Sequence, residues 1–353
     1  MSRFMNPRYA TLEAYTPGEQ PRDRKYIKLN TNESPYPPSP EVMKAVTQAE
    51  IEDLRLYSDP EGTLLRESLA GLYGLKAENV FLSNGSDDIL NFSFMAFCGG
   101  AVEAMFPDIT YSFYPVFAEL NGVSYQTVPV KADFSIDPSD YYHAGKFIVI
   151  ANPNAPTGMA LSREEIRGIV ASNPDRVVLI DEAYVDFGAE SAYPLIQEFD
   201  NLLVVMTYSK SRSLAGARLG FALGNAALIE DLNKLKYSTN PYNVNRLTLA
   251  IGRAAIVSDA YFRNNCEKII ATREKTRTVL EGLGFTVLPS KANFVFIKRE
   301  GIDGQTLYET LKKRGILIRH FSKDTISQYN RVTIGTEEEM EAFLQAVTEI
   351  VME

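Results

Sequence analysis

Residues 177–187 read VVLIDEAYVDF. The run opens on consecutive apolar residues with no polar alternation, as a strand covered on both faces requires, and a carboxylate, Asp181, closes it. The same texture recurs at VFLS (80–83), VEAMF (102–106), FIVIA (147–151), LLVVMT (202–207) and LGFALG (219–224). Between these runs, 86–98, 111–120, 163–171 and 227–236 carry helical spacing. The alternation predicts an α/β fold, a parallel sheet wrapped by helices. Past Pro241 a long charged helical stretch (258–283) leads into a smaller α+β tail. Its strands are expected at 293–298, 316–319 and 331–335, and its helices at 305–314 and 337–352. The first thirty residues, rich in Pro, Arg and Tyr, read as an arm.

A chain of 353 residues with 45% apolar and 23% charged residues has the length for two domains and the composition to bury sizeable cores. Lys and Arg number 36 against 45 for Asp and Glu, a formal charge of -9, which disfavours nucleic acid as a partner. Two cysteines (Cys98, Cys266) and two histidines (His143, His320), with no CxxC, supply no metal-ligand cluster. The apolar runs fall far short of the roughly 20 residues that span a bilayer. A cytoplasmic protein with reduced thiols and no membrane partner is expected.

Four features sit at the ends of the expected strands, where open α/β sheets place their ligands. NGSDD (84–88) opens a helix, and Gly85, Ser86 and Asp87 form a turn whose free N–H groups favour an anion such as phosphate. By itself this would be an ordinary capped helix. Asp181 is a poorly solvated carboxylate that wants a cationic or N–H partner, such as the protonated ring nitrogen of a ligand, or else caps the next turn. In TYSKSRSLAGARLGF (207–221), Lys210 follows a strand directly. A lysine desolvated there can attack carbonyls, while Ser209, Ser213 and Arg218 suit a phosphate dianion. ANPNAPTG (151–158) is a turn that can present Asn side chains at the sheet edge. Tyr111 could offer a flat face to an aromatic ring, with Tyr57 a weaker candidate.

An aldehyde on a pyridine ring unites these parts, since it condenses with a lysine, needs a carboxylate at its ring nitrogen and carries a phosphate. In order and spacing the chain resembles the fold-type I, pyridoxal 5'-phosphate-dependent aminotransferases, and within them the histidinol-phosphate aminotransferase subfamily. The likeness runs through KLNTNESPYPPSP (28–40), YSDPEG (57–62), NGSDD (84–88), TYSFY (110–114), NPNAPTG (152–158), DEAYVDF (181–187), NPYNVN (240–245), LIRHF (317–321) and RVTIGT (331–336), besides the lysine segment.

The resemblance implies a large domain (31–245) with a mostly parallel seven-stranded sheet, a small C-terminal α+β domain (246–353) and an arm (1–30) packed with the small domain. It implies that Lys210 condenses with the cofactor and moves the proton, that Asp181 faces the ring nitrogen, that Tyr184 lies near the ring oxygen and that Tyr111 stacks on the ring. Gly85, Ser86, Asp87, Ser209 and Arg218 match the phosphate cradle. Tyr57 matches a residue that reaches the phosphate of the neighbouring subunit, hence a homodimer. Arg331 matches the arginine that holds the carboxylate of the amino-acid partner and Arg319 a second, subfamily arginine, both facing the substrate phosphate in the other half-reaction. Asn32 and Tyr15 match substrate-side positions of the arm. One position departs: the residue before Pro-Thr-Gly is usually Asn, donating to the ring oxygen, and here it is Ala155 with Asn154 one place earlier. Either Tyr184 carries that contact alone or Asn154 shifts in.

The implied activity is transamination between histidinol phosphate and 2-oxoglutarate, giving imidazole-acetol phosphate and glutamate, in histidine biosynthesis. The same frame would serve an aromatic amino-acid aminotransferase or a decarboxylase of a phosphorylated amino acid. A non-catalytic regulator on this fold would need a DNA-binding module, for which the chain has no basic helical segment.

Overall fold

The computed structural model describes residues 2–353. Seven strands form the large sheet, in the spatial order Val80–Ser83, Gly220–Gly224, Leu202–Thr207, Val178–Asp181, Phe147–Ala151, Ala104–Pro107 and Tyr125–Val128. Every residue of the central strands is buried, which is why their sequences run apolar without alternation. All neighbours from Leu202–Thr207 to Tyr125–Val128 pair in parallel, and only Gly220–Gly224 runs against its neighbours on both sides. One apolar core under the sheet includes Ile148, Ile180 and Val204; the other face carries a second core with Val149, Leu179 and Val205. The even and odd residues of each strand thus feed opposite layers.

The helices fall near their expected places. Ser86–Phe97, Arg163–Ala171, Ala226–Thr239, Asp259–Gly282, Gly304–Lys313 and Glu337–Met352 are present, and Phe113–Asn121 starts two residues later than its apolar spacing suggests. Arg163–Ala171 and Glu337–Met352 each begin with a reciprocal capping box, Ser162 with Glu165 and Thr336 with Glu339. The helix Arg246–Val257, expected at the head of the second domain, packs against Thr63–Tyr73. Ala255 and Phe262 are buried in a core of the large sheet.

A second, antiparallel sheet holds Arg319–His320, Asn330–Thr333, Phe294–Arg299 and Phe285–Val287. The single strand expected at 316–319 is split: Ile316–Leu317 pairs instead with Ile27–Lys28 in a parallel two-stranded ribbon. The arm therefore ends as a strand. Ahead of it, Arg24 donates to the carbonyls of Lys312 and Lys313, and Glu19 meets Lys312 and Tyr308. Arg8 donates to Leu120 O at 2.9 Å, so the arm also touches the large sheet's helices. Among the described residues no helix is long and apolar enough to cross a membrane.

Candidate active site

The parallel register aligns Ala151 with Asp181 and Asp181 with Val205, so the C-terminal ends of three strands share one edge. The reversed strand extends that edge: Gly220 lies opposite both Thr207 and Ser83. A Cβ on Gly220 would stand 2.5 Å from the Gly85 carbonyl carbon and the Ser86 nitrogen, so only glycine lets the helix Ser86–Phe97 begin there. At this edge opens a cavity of about 260 Å³, lined by every expected site residue except Gly85, Asn154, Ser213, whose hydroxyl instead pairs with Ser34 Oγ at 2.9 Å, and Tyr57.

The helix start sits against one side of the cavity. Gly85, in the left-handed region at φ +85, caps the helix and leaves its first N–H groups without a side-chain acceptor. A methyl at Gly85 would meet Arg218 Nη2 at 2.6 Å, so the guanidinium packs closely against the turn. Arg218 itself takes φ 53, a conformation that non-glycine residues adopt only when held there. Its Nη2 reaches Asp87 Oδ2 at 3.1 Å and its Nη1 reaches Ser209 Oγ at 3.5 Å. The other Asp87 oxygen accepts from Tyr111 Oη at 2.9 Å, and burial and that carboxylate raise the phenol's pKa well above its ordinary value. These amide, hydroxyl and guanidinium groups converge as a phosphate cradle does.

Asp181 is 4% exposed. Its Oδ2 accepts from Tyr114 Oη at 2.9 Å and its Oδ1 from the Ala183 N–H at 3.3 Å. Burial pushes its carboxyl up to about 6, with the Tyr114 hydroxyl and the Ala183 amide pulling the other way. A buried carboxylate with so little compensation fits a cationic group brought by a ligand. Lys210 Nζ, the cation of the lysine segment, donates to Thr31 O at 3.3 Å and lies 5.7 Å from the centroid of the Tyr184 ring. Tyr184 sits edge-on against Phe294 and takes a hydrogen bond at Oη from Asn32 Nδ2, 2.9 Å away.

Two arginines enter from the smaller sheet. Arg331 Nη2 donates to Asn30 O at 3.1 Å, its guanidinium stacks 5.2 Å over Phe294, and its Nε is buried with no partner, which suits an anion. Burial lowers its pKa from the ordinary range. Arg319 donates to the arm carbonyls of Thr16 and Pro17. Tyr15 stacks on Phe113 at 4.3 Å and meets Tyr111 edge-on, and burial raises its pKa.

Asn154 corrects an expectation. It is buried, but its Oδ1 accepts from Thr110 Oγ1 at 2.7 Å and its Nδ2 donates to Ile109 O at 2.9 Å, so its amide braces the neighbouring loop and Ala155 faces the cavity. Tyr57 lies away from the cavity, 78% exposed and stacked on Tyr242 at 4.4 Å. Tyr114 and Thr31 were not foreseen. Tyr114 was legible as the third ring of DITYSFY, one helical turn beyond Tyr111. Nothing local marks the Thr31 carbonyl.

The sequence pattern of the aminotransferase class I and II family matches residues 24–347. The chain is 51% identical to a histidinol-phosphate aminotransferase of Brachyspira hyodysenteriae over 352 residues, covering 99% of both chains. It is 51% identical to that of a Marinomonas species over 350 residues, 98% of this chain and 99% of the relative. The chain belongs to the histidinol-phosphate aminotransferase family. Its fold matches the crystal structure of the Sinorhizobium meliloti histidinol-phosphate aminotransferase in complex with pyridoxal-5'-phosphate at a TM-score of 0.89 and 23% identity, over 100% of this chain and 98% of that one. The family implies this cofactor, and the residues present fit it: a helix start without a side-chain cap beside Arg218 for a phosphate, an undercompensated buried Asp181 for a ring cation, and Lys210 for an aldehyde.

Proposed function

We infer that the chain is a pyridoxal-phosphate-dependent transaminase of histidine biosynthesis, interconverting histidinol phosphate plus 2-oxoglutarate with imidazole-acetol phosphate plus glutamate. Its relatives at about half identity over nearly the full length carry this activity in their names. The single observation that carries the reading at the level of chemistry is the convergence of Lys210, Asp181, Arg319 and Arg331 on one cavity.

When bound, the cofactor supplies an aldehyde that condenses with amines and a cationic ring that withdraws electrons from the amine-bearing carbon. Gly85, Ser86, Asp87, Ser209 and Arg218 would hold its phosphate. The Asp181 carboxylate would keep a proton on the ring nitrogen, its own affinity for that proton tempered by Tyr114. Tyr111 would lie against the ring and Tyr184 near its oxygen. The Lys210 amine, Nζ, accepts and returns the proton that moves during transamination. Arg331 holds the glutamate or 2-oxoglutarate carboxylate, and both arginines serve the substrate phosphate, since a planar guanidinium matches either anion. Tyr15 and the arm shield this end from water.

The reading includes a homodimer in which Tyr57 reaches the neighbouring site. In support, Met43, Ile51, Leu54, Leu56 and Val257 are exposed, as is Tyr57, on segments 40–64 and 246–257 that pack together. It also places the enzyme in the cytoplasm, where Cys98 and Cys266 remain thiols.

The test is glutamate formation from 2-oxoglutarate with histidinol phosphate, tyrosine and phenylalanine as competing donors. Histidinol phosphate should dominate. Preference for phenylalanine, or release of carbon dioxide, would replace this reading with one of its rivals.

A further inference from the structure

We propose that Thr333 and Asn32 are positioning residues that fix the Tyr184 phenol as a hydrogen-bond donor into the cavity. The inference rests on the cofactor reading above and extends it to a strand of the smaller sheet.

The need to satisfy buried donors sets the direction of each bond in the relay. The Asn32 backbone N–H can only donate, and it points at Thr333 Oγ1, 3.0 Å away. The same hydroxyl lies 3.0 Å from Asn32 Oδ1. The oxygen could accept a second bond, but the Thr333 hydroxyl is buried and Asn32 Oδ1 is the one acceptor within its reach among the described residues, so its proton is directed at Oδ1. That engages the amide oxygen of Asn32 and turns its NH2 toward Tyr184 Oη at 2.9 Å. Tyr184 therefore accepts at Oη, and its own proton is left for the cavity that it lines. No other side chain or backbone group among the described residues bonds this hydroxyl.

The relay is rigid. Asn32 is buried, holds φ 56, and its carbonyl accepts from Asn293 Nδ2 at 3.0 Å. The Thr333 N–H is tied to Leu29 O at 2.9 Å. The neighbouring position that could have carried a second donor is the Ala155 methyl, and the Asn154 amide is spent on Ile109 and Thr110. Direction at Tyr184 thus matters more here than it would with a second donor present. A donor polarised from behind by another hydrogen bond also donates more strongly.

The readout is the pH midpoint of the visible absorbance of the cofactor-loaded enzyme, which reports the proton on the lysine–cofactor linkage. A hydroxyl aimed at the adjacent ring oxygen stabilises the negative charge left uncompensated when that proton departs. Weakening the donor therefore moves the midpoint up. Thr333→Val frees the amide of Asn32 to turn over and should raise the midpoint by about half a pH unit, a little less than one net hydrogen bond. Thr333→Ser should leave it at the wild-type value. In a Tyr184→Phe background Thr333→Val should produce no further rise, whereas a merely structural effect would persist. Thr333→Ala serves as a second variant if valine prevents folding. A wild-type midpoint in the valine and alanine variants, or an equal rise in the Tyr184→Phe background, overturns the proposal. Wild-type protein that takes up no pyridoxal phosphate at all overturns the functional reading and this inference with it.

Discussion

With no cofactor present, the Asp181 carboxylate is a charge held in the interior at a loss, so Asp181→Asn is expected to stabilise the cofactor-free fold while disabling the enzyme. Burial raises this carboxyl from an ordinary 3.8 to about 6. At about 1.4 kcal/mol per pH unit, the rise corresponds to roughly 3 kcal/mol. Because the value is raised in the folded state, the folded chain binds more protons than the unfolded chain between pH 3.8 and about 6. Stability falls as pH rises through that window, and the whole penalty is present above it. Asparagine keeps the acceptor for Tyr114 Oη, but its amide cannot satisfy both Tyr114 and the Ala183 N–H as well as a carboxylate does. That mismatch costs about 1 kcal/mol, leaving a net gain of about 2 kcal/mol above the window, whereas near its lower end, where the penalty has nearly gone, the variant is the less stable by up to about 1 kcal/mol. Urea unfolding of cofactor-free wild type and variant, at equal protein concentration on both sides of the window, measures it. A variant less stable than wild type on the alkaline side, or a difference that does not change with pH, refutes the reasoning. Activity of the same variant should fall by about a hundredfold or more, as for loss of a preorganised electrostatic partner.

Gly85→Ala sets a methyl 2.6 Å from the Arg218 guanidinium at φ +85, and uptake of pyridoxal phosphate should weaken by about tenfold or more, read by absorbance titration. Arg331→Gln should lower kcat/KM for glutamate and for histidinol phosphate alike by roughly 10- to 100-fold, whereas Arg319→Gln should spare glutamate relative to histidinol phosphate; steady-state kinetics with each substrate separates them. Ile51→Glu with Leu56→Glu places charge on the exposed apolar segment that carries Tyr57, so sedimentation should show a shift to monomer, with loss of activity.

The central strands were legible because burial on both faces leaves an unmistakable apolar run, as at 147–151 and 202–207. Tyr125–Val128 was not, since it lies at the sheet's edge with three of its four side chains exposed and reads like a loop. Nor could LGFALG announce that it runs backwards, because a buried strand has the same pattern in either direction. ILIR looks like one strand, yet Ile318 separates a ribbon with the arm from the edge of the smaller sheet. At the site, residues at strand ends were visible from spacing, and Lys210, Asp181 and Arg218 do meet in one cavity. What stayed hidden depends on partners distant in sequence: Tyr114 with Asp181, Asn32 with Thr333 and Tyr184. Asn154 misled because a local motif names the residue but not the direction in which its amide turns.

The central claim is that one amine, that of Lys210, bonds to the cofactor. Borohydride reduction of cofactor-saturated enzyme, followed by peptide mass mapping, should find the pyridoxyl label on the peptide bearing residue 210 and nowhere else. Saturated protein in which that lysine stays unmodified, or in which another lysine carries the label, would contradict it.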